Sequence, residues 1–181
     1  SVVSSFSAER LLVELQSIRK QLMRESGRLR IIQVALEIVR LRLNAQTASI
    51  FLFSKDGCLH RVGLEGFDLN GIQIESEWFK EEKYSVGESF TGRAAISQDD
   101  GFGKAQLSND LSGEQLSSLS REKYQRKLGA LNCAIAVPLN GQSKTFGVLD
   151  IINKMDSSTG KPMQSSGFTD QDIHWLSALG E

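Results

Sequence analysis

The only thiols and imidazoles in this 181-residue chain are Cys58, Cys133, His60 and His174, so any nucleophilic or metal chemistry of the usual kind has to start from them. Cys58 and His60 stand two residues apart, a spacing that puts both on one face of a strand. A structural zinc site wants four ligands, however, and Cys133 and His174 fall in other predicted elements. Cys133 sits in the apolar run Ala130 to Leu139, where a thiol is ordinarily a small buried hydrophobe. With two histidines this far apart, no nucleophile–base pair stands out. Gly101-Phe102-Gly103 lacks the length and the strand-loop-helix setting of a phosphate loop. No metal centre and no catalytic residue is expected, and the chain reads as not an enzyme. Two carboxylates are more suggestive. Asp150 interrupts the otherwise apolar run from Thr145 to Lys154, which marks either a solvent-facing strand or a polar group held in a pocket. Lys154 and Asp172 could form a strand-to-helix ion pair, worth about 0–1 kcal/mol if exposed.

The elements that must position these groups can be read from periodicity. The first forty-odd residues read as helix, in one piece or in two joined near Ser26-Gly27. Leu15, Leu22, Leu29, Leu36 and Leu43 occupy one heptad position, and Leu11, Ile18, Ile32 and Val39 the other, with Glu25 breaking the second series. That pattern predicts a coiled-coil seam and a homodimer formed through the N-terminal helix. From Ile31 to Leu43 the apolar stripe widens, as it must where a helix also covers a sheet. Thr47 to Phe53 and Cys58 to Val62 read as strands around a Ser54–Gly57 turn. The stretch from Gly63 to Lys83 is irregular, and Ser85 to Ala95 is a loop entering a short helix, with Ser89 or Thr91 as its N-cap. A polar loop runs to Asp110, followed by a helix from about Gly113 to Leu128. Ala130 to Leu139 is a buried strand whose hairpin partner is Thr145 to Lys154, and a loop containing Pro162 precedes a last helix from about Thr169. An antiparallel sheet with helices on both sides satisfies this order.

Composition bounds the class. Apolar residues make up 40% and charged residues 24%, the balance of a soluble globular domain rather than a disordered or fibrous one. A net charge of −1 gives no field to attract nucleic acid or an anionic membrane. Two cysteines make no disulfide framework, so a reducing, cytoplasmic setting is expected. No apolar run approaches the roughly 20 residues of a membrane span. The chain begins at Ser1 without methionine and stops at Glu181 inside a helical stretch, which suggests a piece of a larger signalling protein with an output domain elsewhere.

Four phrases, in order, resemble the GAF family: Ala48-Ser49-Ile50-Phe51-Leu52-Phe53, Val86-Gly87-Glu88-Ser89-Phe90-Thr91-Gly92, Ala134-Ile135-Ala136-Val137-Pro138-Leu139, and Gly147 to Lys154 followed by Phe168 and Asp172. The resemblance implies an α+β fold, a six-stranded antiparallel sheet with helices on both faces and a long N-terminal helix. It divides the chain into a signalling and dimerisation helix, 1–28, and the GAF domain proper, 29–181, with its last helix cut short. Asn153, Lys154, Phe168 and Asp172 match a motif of cyclic-nucleotide phosphodiesterases and some adenylyl cyclases, although Ile173 stands where that motif has a final acid. In the family the lysine and aspartate brace the pocket. Residue by residue, the resemblance implies ligand contacts at Ser49, Phe67, Asp68, Phe90, Thr91, Asp110 (or its neighbour Asn109) and Asp150. It implies a regulatory domain binding a small molecule, with cyclic AMP or cyclic GMP as the leading class, and no covalent cofactor, because Cys58-Leu59-His60 misses the bilin-attachment pattern. The alternatives are a ligand-free dimerisation scaffold and a free-methionine-sulfoxide reductase. The second needs a reactive thiolate near the pocket.

Overall fold

The computed structural model describes Val13 and residues 27–180, apart from 76, 77, 79, 80, 114–117 and 165. The upstream part of the heptad seam, Leu11 to Glu25, lies outside the described residues. Helix α1 (Arg28–Leu43) starts after Gly27, which is left-handed at φ 88°. Its stripe Ile32, Ala35, Leu36, Val39 and Leu43 is buried on the sheet. Four residues of the heptad series are therefore covered by the chain's own core, where no second helix can reach them. The helix ends at Asn44, also left-handed, whose side chain donates to the Met155 carbonyl at 2.8 Å and ties the turn to the sheet.

Strands β1 (Ala45–Phe53), β2 (Leu59–Gly66), β3 (Lys83–Tyr84), β4 (Gln106–Ser108), β5 (Ala134–Asn140) and β6 (Thr145–Asp156) form one antiparallel sheet in the order β3-β2-β1-β6-β5-β4. A two-residue strand β7 (Lys161–Pro162) pairs with the end of β6. Central strand β6 is laddered to β1 and β5, so its side chains alternate between two buried layers. Leu149 and Ile151 join the layer under α1 and the final helix α4 (Asp170–Gly180). Val148 and Ile152 join the other layer, beneath the short helix α2 (Ser89–Ala94) and helix α3 (Ser118–Leu128). Alternation puts Asp150 in that second layer.

Several boundaries differ from the periodicity reading. Strands β3, β4 and β7 have two or three residues each, too few for alternation to show. A 3-10 turn, Leu111–Gly113, stands apart from α3, with residues 114–117 between them outside the described set. The short helix α2 is entered from Glu88 with no side-chain cap, so neither Ser89 nor Thr91 is the N-cap. Ser89 is itself at φ 60°, and Thr91 bonds elsewhere. Strand β5 begins at Ala134, so Cys133 precedes the strand instead of lying within it. The reason is Asn153: its Oδ1 accepts the Asn132 N–H at 2.9 Å and its Nδ2 donates to the Ala130 carbonyl, which draws 130–133 out of the ladder.

Candidate functional site

Between α2, α3 and the second face of the sheet lies a cavity of about 30 Å³, enough for one or two waters. Its walls include Tyr84, Phe90, Thr91, Tyr124, Asp150 and Ile152. Thr91 Oγ1 donates to Asp150 Oδ2 at 2.8 Å, pinning the roof helix to the central strand. Asp150 is 5% exposed, and its Oδ1 has no hydrogen-bond partner among the described residues. Burial pushes its carboxyl up to about 6, against the pull of the Thr91 hydrogen bond and the Arg61 charge.

A buried polar cluster adjoins it. Arg61 Nη1 reaches Glu82 Oε2 at 2.6 Å, and Nη2 donates to the Tyr124 hydroxyl at 2.6 Å. Tyr84 and Tyr124 both donate to the Glu82 carboxylate. Burial works against the Arg61 charge, yet Tyr124, Glu82 and Tyr84 outweigh it and hold its pKa above the ordinary value. Burial first, and then Glu82, keep both tyrosines protonated well past their usual range. Arg61 thus stays charged and both tyrosines stay neutral at neutral pH, while burial brings the Asp150 carboxyl closer to neutrality.

The other sequence candidates separate into three groups. Phe90, Thr91 and Asp150 line the cavity, while Ser49 lies buried and directly opposite Asp150 in the β1–β6 register without lining it. Phe67 and Asp68 line a different and larger groove, of about 540 Å³, with Gln46, Leu128 and Met155. The Arg40 guanidinium sits 4.8 Å over the Phe67 ring, and Asp68 Oδ1 accepts the Asn70 and Ile72 amides, so this pair builds a turn and does not join the cavity. Asp110 also stands outside it: its carboxylate accepts the Ser112 hydroxyl and amide, which holds its pKa below the usual value. Asn109 clamps Phe168 through both its amide and its carbonyl, at 2.9 Å each.

The motif residues form a brace and do not themselves line the cavity. Asn153, fully buried and left-handed at φ 57°, also donates to Gln46 Oε1 at 2.8 Å, so strands β1 and β6 and the 130–133 loop meet on one side chain. Lys154 Nζ lies 3.2 Å from Asp172 Oδ2, half-buried, and 5.6 Å above the Phe168 ring. Asp172 Oδ2 further accepts the Thr169 N–H while Thr169 Oγ1 accepts the Asp172 N–H, a reciprocal cap on α4. Cys133 Sγ accepts the Lys154 N–H at 3.2 Å, and burial pushes its thiol up, away from the thiolate a nucleophile needs. His60 Nε2 is 2.7 Å from Asp56 Oδ2 in the first hairpin, and no group of three metal-ligating side chains forms among the described residues.

Sequence reasoning missed Arg61, Glu82, Tyr84 and Tyr124. A signal existed for one: Arg61 alternates with Leu59 on the buried parity of β2. Glu82 and Tyr84 fall in or beside a two-residue strand with no pattern, and Tyr124 lies on a helix rich in charge.

A GAF-domain family model matches residues 27–181, and the chain belongs to the GAF family. No curated protein sequence matches. Among solved structures, the chain resembles the GAF domain of a phosphoenolpyruvate-protein phosphotransferase from Coxiella burnetii, with 14% identity over 96% of this chain and 90% of that one and a TM-score of 0.62. It also resembles the corresponding Acinetobacter domain, with 16% identity, 94% and 88% coverage and a TM-score of 0.60. A third likeness is to free methionine-R-sulfoxide reductase from Neisseria meningitidis in complex with its substrate, with 14% identity, 99% and 89% coverage and a TM-score of 0.59. At such identities the likeness establishes the fold. The GAF fold supports a sensory or regulatory domain, and no helix among the described residues is long and apolar enough to cross a membrane.

Proposed function

We propose that this GAF domain is a sensor whose Thr91–Asp150 cavity takes a small ligand, and that occupancy is passed through β6 to helices α1 and α4 on the opposite face. The observation that carries this is Asp150: a carboxylate buried on a central strand, with one oxygen unpartnered, at the wall of a cavity. Such a group destabilises the fold that holds it, which is the mark of a residue retained for binding. Coupling has a direct path, because Asp150 faces the cavity while its neighbours Leu149 and Ile151 pack in the layer with α1 and α4. Cyclic AMP and cyclic GMP are the ligand class that the motif resemblance favours. Ligand pockets for molecules of that size run to roughly 300 Å³ or more, so a cyclic nucleotide enters only if α2 and α3 lift together. The sensor is cytoplasmic, serves an output domain in a larger protein, and carries out no reaction itself. Cys133 does not itself line the cavity, and burial holds its thiol above the ordinary range, which argues against the reductase alternative.

A second reading, a scaffold that dimerises without a ligand, is favoured by the smallness of the cavity and by the outer stripe of α1. Val34 and Leu41 are 47% and 61% exposed there, one heptad apart. Thermal unfolding with and without cyclic AMP or cyclic GMP tests the nucleotide reading. A bound nucleotide at about 100 times its Kd stabilises the fold by about 2.7 kcal/mol, a rise in Tm of several degrees. That rise is expected to vanish in Thr91→Val. An unchanged Tm with both nucleotides removes the cyclic-nucleotide assignment.

A further inference from the structure

Charge balance around the cavity has a consequence for what can occupy it. Among the described residues, the groups that face Asp150 are Thr91 from α2, Arg61 from β2, Glu82 ahead of β3, Tyr84 from β3 and Tyr124 from α3. Of these only Arg61 and Glu82 carry charge, and they are committed to each other at 2.6 Å. With Asp150 ionised, it and the described groups facing it make one cation and two anions, and Asp150 Oδ1 has no hydrogen-bond partner among the described residues. A second observation points the same way. Three aromatic rings, Tyr84, Phe90 and Tyr124, line a space of about 30 Å³; aromatic rings attract organic cations through their negative faces, and two of these already carry a guanidinium, Arg93 at 5.7 Å from Phe90 and Arg61 at 5.9 Å from Tyr124. The remaining walls, Leu111, Leu131, Ala134 and Ile152, are aliphatic, and the space admits only a head group of roughly two heavy atoms.

The structure assigns this cavity to a compact organic cation, a primary ammonium or amidinium head group, seated on Asp150 Oδ1 among the rings of Tyr84, Phe90 and Tyr124. The assignment rests on the sensor reading above and names the chemical class of its ligand. The head group donates a charge-assisted hydrogen bond to the orphaned oxygen, while Thr91 keeps the other oxygen fixed. Arg61 contributes by holding Glu82, so that Glu82 does not compete for the same cation. An anionic group placed here meets the Asp150 charge at close range in a poorly solvated site. A ligand that carries a phosphate must therefore hold it outside the cavity.

Methylammonium chloride is the probe of choice, titrated into the full chain at constant ionic strength and followed by the backbone amide NMR signals of Phe90, Thr91 and Asp150. Methanol and sodium acetate serve as neutral and anionic controls of similar size. Saturable shifts are expected with methylammonium alone, with the affinity weakened at least tenfold in Asp150→Asn, as loss of a charge-assisted hydrogen bond implies. In the wild-type chain the affinity should fall about tenfold from pH 8 to pH 5 as the carboxyl takes up a proton, which needs no variant to fold. Equal response to acetate, an unchanged response in Asp150→Asn, or pH-independent binding would each overturn the assignment. Cyclic AMP or cyclic GMP shifting these amides while methylammonium does not would overturn the cation and leave the sensor reading standing. Silence toward every probe would overturn the cation, and the sensor reading would then rest on whether the purified domain retains a ligand.

Discussion

At the scale of single residues, Asp150 dominates because it is costly. Its folded pKa, about 6, stands above the ordinary 3.8 because burial penalises the charge. Between those two values the folded chain binds more protons than the unfolded one, so this group's contribution to stability falls as pH rises from about 4 to 6 and stays low above that. Asp150→Asn removes the penalty. At pH 8 it is expected to raise the unfolding free energy by on the order of 1–3 kcal/mol, with the gain shrinking toward pH 4. Urea denaturation at the two pH values checks this, and a destabilised variant at pH 8 would show that the carboxylate is compensated after all. The brace behaves differently. Lys154→Ala removes only a half-buried ion pair, at a cost of about 1 kcal/mol or less. Asp172→Ala also removes the cap on α4 and should cost about 1–2 kcal/mol, measurable by the same denaturation. Asp150 and Thr91 were legible in the sequence because one broke an apolar run and both matched family positions. Phe67 and Asp68 line a second groove and Asp110 closes an Asx turn, because an aromatic–acid pair and an Asx turn use the same residue types that a ligand site would use.

At the scale of elements, the long members were legible and the short ones were not. Strands β1, β5 and β6 and helices α1 and α4 carry enough apolar periods to declare themselves. The roof is assembled instead by close backbone approach. A Cβ at Gly92 would lie 2.4 Å from the Ser85 carbonyl, so only glycine lets α2 close on the turn that precedes it. Gly63 does the same between β2 and α1, where a Cβ would meet Ile32 at 2.5 Å. Periodicity says nothing of such contacts. The heptad reading shows the complementary error. Ile32, Leu36, Val39 and Leu43 have coiled-coil spacing, yet the sheet claims them, and the surface left over is the outer stripe with Val34 and Leu41. A dimer through the N-terminal helix must use that face or the segment upstream of Gly27. Val34→Glu with Leu41→Glu is expected to shift a dimer toward monomer in sedimentation equilibrium while leaving the fold intact, since both side chains point away from the core. An unchanged dimer would place the interface upstream.

At the scale of the whole molecule, one sheet separates two buried layers with different work. The layer under α1 and α4 is closed and apolar, and the layer under α2 and α3 holds the charged cluster and the cavity. Strand β6 contributes side chains to both, and its far end carries the Asn153 and Lys154 brace to α4. A ligand that binds the two states of the roof unequally can thereby alter how α1 and α4 sit, and equal binding would transmit nothing. The measurement that tests the central claim most directly is native mass spectrometry of the purified chain and of Asp150→Asn, as isolated and with added cyclic AMP or cyclic GMP. The expected result is one small molecule per subunit on the wild-type chain and none on the variant. A wild-type chain that binds nothing under any of these conditions, in a stable dimer, would contradict the sensor reading and leave the scaffold in its place.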